Sequence, residues 1–245
     1  MLHWVAPRYH TGPIRPGTAA RVGEDRLLAR GSLAETLPGA AARLRDPASA
    51  GPTDPAATAS PALLAALAEA LARAPSPPLL AWLRGAVDRA LARPGTPPPG
   101  TLLAAAILHR DDAPRLAELA GRLGPVEDAT ALLAAARLAR RAPEAAVALM
   151  EAPLLHDRGA VAPESLPTVE LATLLRALRA AAAAGAIPPG RLDDRIARTL
   201  DALSARIRER DGALEVVASD AATEGDTLST AATLLALLGP AGDPG

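Results

Sequence analysis

Asp211-Gly212-Ala213-Leu214 leads through a loop into Ala232-Thr233-Leu234-Leu235-Ala236-Leu237-Leu238. An earlier stretch follows the same plan, with Asp157-Arg158-Gly159-Ala160-Val161 leading into Ala172-Thr173-Leu174-Leu175-Arg176-Ala177-Leu178. A Gly-Ala turn followed by an apolar run, twice, predicts stacked helical units, none of which can bury its apolar face alone. The spacing between the Leu/Ala signatures is uneven, unlike an ankyrin or tetratricopeptide array.

Outward from these stretches the chain alternates helix and short Pro/Gly break from Ser60 onward. Ser60-Pro61 has the form of an N-cap with Pro at the first helical position, and Leu63, Leu64, Leu67 and Leu71 form one stripe ending near Pro75. Leu79 to Ala92 repeats the pattern with Leu79, Leu80, Leu83 and Val87, and closes on Arg93-Pro94-Gly95. Further helices are predicted near 100–108, 111–123, 127–141 and 143–150, and one more ends at Ala184. The clearest is Leu192 to about Arg210, where Leu192, Ile196, Leu200, Leu203 and Ile207 recur every three or four residues, with Asp194, Arg198 and Asp201 on another face. A last helix spans Thr227 to Leu238. Period-two runs rich in Val, Ile, Thr and aromatics are missing, so nine or ten helices and no strand are expected. Short connections favour antiparallel neighbours.

The fold class that follows is all-α, with antiparallel helical hairpins forming an αα-toroid-like or α-solenoid domain over 59–239. An irregular N-terminal arm precedes it over 1–58, and a flexible tail follows over 240–245. The arm is broken by Pro7, Gly12, Pro13, Pro16, Gly17 and Gly23, with a short helix near Ser32 to Leu44 and a Pro/Ala/Ser/Gly/Thr-rich linker after it.

Composition narrows the function classes. All 26 basic residues are arginine, and Lys, Asn, Gln, Phe and Cys are absent. A GC-rich codon usage accounts for this, so the arginines are not by themselves evidence of selection for phosphate binding. A net charge of −1 and a pI near 6.4 offer no long-range attraction to nucleic acid or anionic lipid. Without cysteine there is no disulfide, thiolate nucleophile or Cys-based zinc site. Arg or Pro interrupts every Leu/Ala run before it reaches the roughly 18 apolar residues of a membrane span. Met1 to His10 lacks a basic flank followed by an apolar run, so a cytoplasmic protein is expected.

The pattern from Asp211-Gly212-Ala213-Leu214 to Asp226-Thr227-Leu228-Ser229-Thr230-Ala231-Ala232-Thr233-Leu234-Leu235-Ala236-Leu237 resembles the αα-toroid repeat of terpenoid cyclases and protein prenyltransferases. In that repeat an Asp-Gly turn and an irregular loop precede a helix that opens with Ser or Thr. The resemblance implies a ring or arc of helical hairpins. It also implies chemistry whose residues can be checked here. The cyclases protonate with an Asp-x-Asp-Asp cluster, but His109-Arg110-Asp111-Asp112 and Arg191-Leu192-Asp193-Asp194 both lack the first Asp. Trp4, Tyr9 and Trp82 are too few rings to line a carbocation cavity. The prenyltransferase zinc site includes a Cys, which this chain does not have.

Other groupings carry weak signals. His3 and His10 with Glu24 or Asp25, and His109 with Asp111 and Asp112, lack a recognised metal-ligand spacing, and Asp111-Asp112 stands where a helix cap is needed. His156-Asp157 has the form of a solvated turn. No nucleophile elbow, phosphate loop or dinucleotide fingerprint occurs. No catalytic, metal or cofactor residue is therefore assigned. Trp4, Arg8, Tyr9 and His10 form a candidate interface, since Trp, Tyr and Arg anchor interfaces, although the arm could equally pack on its own domain. Arg137, Arg140 and Arg141 are expected to be solvated. The function expected is a non-catalytic helical-repeat binding or assembly module. It would take a protein partner or self-associate, and would not bind nucleic acid. The alternative is a diverged toroid protein for an apolar, isoprenoid-like small molecule.

Overall fold

A computed structural model describes residues 59–155, 163–210 and 213–237. The arm with Trp4, Arg8, Tyr9 and His10, the Ser32 to Leu44 helix, His156-Asp157 and the tail at 240–245 lie outside the described residues.

Among the described residues the chain forms α1 (Pro61–Arg73), α2 (Pro77–Leu91), α3 (Pro99–Leu108), α4 (Ala113–Ala120), α5 (Ala129–Ala139), α6 (Pro143–Met150), α7 (Thr168–Ala183), α8 (Asp193–Ser204) and α9 (Thr227–Leu237). Single 3-10 turns at Pro153–Leu155 and Pro163–Ser165 bridge α6 and α7. The protein is mostly helical, as its apolar periodicity requires.

Local chemistry sets the starts. Ser60 Oγ accepts the Leu63 N–H at 3.2 Å, Asp112 Oδ1 that of Arg115 at 3.0 Å, and Asp128 Oδ1 that of Ala131 at 2.7 Å. Proline stands in the first turn of α1, α2, α3, α4 and α6, where its missing N–H costs nothing. Two helix ends are closed by arginines from other parts of the chain. Arg122 Nη2 donates to Leu91 O at the end of α2 (2.7 Å), and Arg179 Nη1 of α7 donates to Ala236 O at the end of α9 (2.6 Å).

The odd-numbered helices form one layer, with α1 packing on α3, α3 on α5, α5 on α7 and α7 on α9. The even-numbered helices flank them, α2 against α1 and α3, α4 against α3 and α5, α6 against α5, and α8 against α7. Leu102 to Ala106 of α3 and Ala131 to Ala136 of α5 are buried without a break, the mark of helices covered on all sides. Alanine brings these axes close, while the buried leucines Leu64, Leu71, Leu83, Leu116, Leu132, Leu133, Leu149 and Leu174 each supply roughly 1.5–3 kcal/mol. The closest approach is at Gly100, where an added Cβ would lie 2.6 Å from the carbonyl oxygen of Pro61. Here glycine is needed for the meeting of the α1 and α3 N-termini.

The expected helix from Leu192 to Arg210 stops at Ser204, and the expectation of no strand fails there. Ile207–Arg210 (β1) and Ala213–Val216 (β2) pair antiparallel, Arg210 opposite Ala213 and Ile207 opposite Val216. Arg206 explains the break. Its carbonyl accepts the Val217 N–H (3.0 Å), and its side chain, only 2% exposed, donates from Nη2 to Glu164 O (2.7 Å) and Leu166 O (3.3 Å) while Nε meets Asp220 (2.9 Å). Continuing the helix would forfeit all of these bonds, and they outweigh one more Leu/Ile position on the stripe. The hairpin is stitched to the helical layer by Thr168, whose N–H and Oγ1 donate to Ala218 O (2.9 Å) and Val217 O (2.6 Å).

Candidate functional site

Among the described residues, one carboxylate is buried in the inner layer formed by the odd-numbered helices. Glu69 lies on α1 beside Leu64, Ala65 and Ala68, and its side chain is 7% exposed. A carboxylate this deep needs cations close by. Three arginines supply them: Arg73 of α1 at 3.7 Å, Arg137 of α5 at 3.9 Å, and Arg176 of α7, which contacts Oε1 most closely of the three.

The spacing of the donors says how the layer is shaped there. Arg73 follows Glu69 by four residues, so both fall on one side of α1. Arg137 belongs to the second inner neighbour along the layer and Arg176 to the third. For α1 to reach α7 by one ion pair, the layer must bring its first and fourth inner helices within the span of two side chains on this side. Arg73 and Arg137 also stand in the last turns of α1 and α5, where helix dipoles favour cations. Sequence reading passed over Glu69 and placed Arg137 in solvent; instead Arg137 turns toward Glu69, whereas Arg140 and Arg141 are exposed. A lone Glu amid Leu64, Ala65, Ala68 and Leu71, with Arg four residues on, was the available signal.

The other sequence candidates do not converge. Asp112 is an N-cap, Asp111 is exposed beside Arg110 at 3.4 Å, and the N–H of His109 closes α3 on Ala105 O. Among the described residues no three His, Asp or Glu side chains gather as a metal site, and no helix is long and apolar enough to cross a membrane.

A second feature is the C-terminal end of the inner layer. Asp226 opens α9 by accepting the Ser229 N–H at 2.8 Å, with Thr230 N–H and Oγ1 both donating to Asp226 O at 2.9 Å. The Ser229 hydroxyl and backbone N–H hold the Asp226 carboxyl below its ordinary value. One side of α9, with Ser229, Thr230, Thr233 and Ala236, is buried, while Leu228 is 64% exposed and Leu237 41%. Helices α3, α5 and α7 each have two inner neighbours; α9 has only α7, with β2 also touching it, among the described residues.

Comparison with known proteins gives no matching family model, curated protein or solved structure.

Proposed function

We propose that this chain is a helical-repeat assembly module of the αα-toroid or α-solenoid type, which pairs with a second copy through α9. The exposed apolar side that α9 shows among the described residues carries this reading. Leu228, exposed, and Leu235, half-buried, stand seven residues apart on one side of the helix with Ala231 between them, and the strip holds no charge. An uncharged strip is self-complementary, so a two-fold contact meets no like-charge penalty. The filled Ala/Leu interior of α3 and α5 supports the same reading, because these two helices spend their apolar residues on the core, whereas Leu228 of α9 is the most exposed large apolar residue among the described ones.

Sedimentation velocity of the full chain between 1 and 100 µM tests it. The expected result is a concentration-dependent dimer that Leu228→Glu converts to monomer while far-UV circular dichroism stays unchanged. A wild-type monomer throughout, or a dimer indifferent to Leu228→Glu, refutes it.

A second reading, an apolar isoprenoid-like ligand, is favoured by one observation. Asp226 caps a helix opening with Thr227, as the resembled repeat does, although β2 stands where that repeat has an irregular loop. Native mass spectrometry of the protein purified from its host separates the two readings. A lipid-sized adduct supports this one, and a dimer without adduct supports assembly.

A further inference from the structure

We infer that residues 33–44, from the stretch of chain preceding the described domain, dock along the outer side of α1 and cap that end of the inner layer. Leu64, Ala65, Ala68 and Leu71 turn one side of α1 toward the core. On the other side Leu63, Ala66, Leu67 and Ala70 follow the three- and four-residue spacing of a single helical stripe. Leu63 is 45% exposed, Ala66 is exposed, and Leu67 and Ala70 are half-buried. The stripe holds no charge, and Arg73 in the turn beyond it is paired with Glu69. The terminal unit of a stacked-helix array needs a polar outer face, and α1 does not present one. A cover of apolar side chains meets that need.

The occupant follows from what lies next in the sequence. Ala59, just before the Ser60 cap, already packs on the core, so the chain enters α1 alongside the domain. Only residues 45–59 separate Leu44 from that point. A linker of this length and its Pro/Ala/Ser/Thr-rich composition spans about 20 Å on average, close to the length of the 13-residue α1, so the stretch ending at Leu44 can lie back along the helix. Leu33, Leu37, Ala40 and Leu44 recur there at four, three and four residues, the periodicity of the stripe they would cover, while Glu35 and Arg43 fall off that line. Pro38-Gly39 divides the stretch into two pairs of apolar positions, Leu33 with Leu37 and Ala40 with Leu44. Tethering makes the contact intramolecular, with an effective concentration in the millimolar range, so a partner free in solution competes poorly for the same stripe.

Hydrogen exchange of the full chain, read by mass spectrometry at the concentrations used for sedimentation, tests the docking. In wild type the amides of 33–44 should exchange at least about tenfold more slowly than an unstructured chain, to the same degree at every concentration. Leu63→Glu, a change at the surface of α1, should bring 33–44 to the rate of an unstructured chain while α3 and α5 keep their protection. The double variant Leu33→Glu/Leu37→Glu, which alters no residue of the described domain, should release 33–44 in the same way and speed exchange across 63–70. Should Leu63→Glu loosen α3 or α5, the double variant decides alone. Unprotected 33–44 in wild type, protection that survives the double variant, or protection that survives Leu63→Glu with α3 and α5 intact, overturns the docking. Protection that grows with concentration also overturns it, by assigning the stretch to a second copy.

Discussion

Replacing Arg206 by methionine isolates the group that ends α8 and anchors the hairpin. Methionine keeps most of the buried stem and little of the cavity cost, so the change removes mainly the guanidinium. The bond to Glu164 O at 2.7 Å is a full charge-assisted hydrogen bond, worth about 1.5–3 kcal/mol, and the one to Leu166 O at 3.3 Å is weaker. Asp220 is 65% exposed, so its ion pair adds little. Relief from burying a cation offsets part of the loss. The net is a destabilisation of about 2–3 kcal/mol, or roughly 4–12 °C in Tm for a chain of this size. Urea denaturation followed by far-UV circular dichroism measures it, and hydrogen exchange should locate the loosening at 163–168 and 213–226. A loss below about 0.5 kcal/mol, or exchange unchanged in those segments, would refute the reasoning that Arg206 overrides the helical stripe.

Gly100→Ala gains helix propensity yet drives a methyl to 2.6 Å from Pro61 O, so a net loss of about 1–3 kcal/mol is expected in the same denaturation assay; a stabilised variant would mean α1 and α3 do not meet there. Asp226→Asn tests the cap of α9. Because the folded carboxyl titrates below the ordinary carboxylate value, its stabilisation is complete above that ordinary value and is lost as pH falls through the lower folded value. Between pH 6 and 2 wild type should therefore lose stability that Asp226→Asn does not lose, and parallel pH profiles would contradict the cap.

The helical content was legible because Leu and Ala recur at three and four residues, and Ser60, Asp112 and Asp128 stand one residue before helices that need an acceptor there. The hairpin was not read. Ile207 prolongs the stripe of α8 with correct spacing, and only the tertiary demands of Arg206 reveal the break. The pair Asp211-Gly212, a strong two-residue hairpin signal, with the alternation Leu214-Glu215-Val216 after it, was the local signal that helical periodicity masked. The Glu69 cluster was hidden for another reason. Its members are 68 and 107 residues from Glu69 at Arg137 and Arg176, and a charged residue on an Ala-rich helix reads as solvated until the packing of α1, α5 and α7 brings the three together.

The convergence of α1 on α7 is the central structural claim, and a double-mutant cycle on Glu69 and Arg176 measures it most directly. With Glu69→Gln, Arg176→Gln and the pair, denaturation should give a coupling energy of about 1 kcal/mol or more, as for charged groups in contact. Additive effects, with coupling indistinguishable from zero, would mean that the first and fourth inner helices do not meet and that the layer has a different shape.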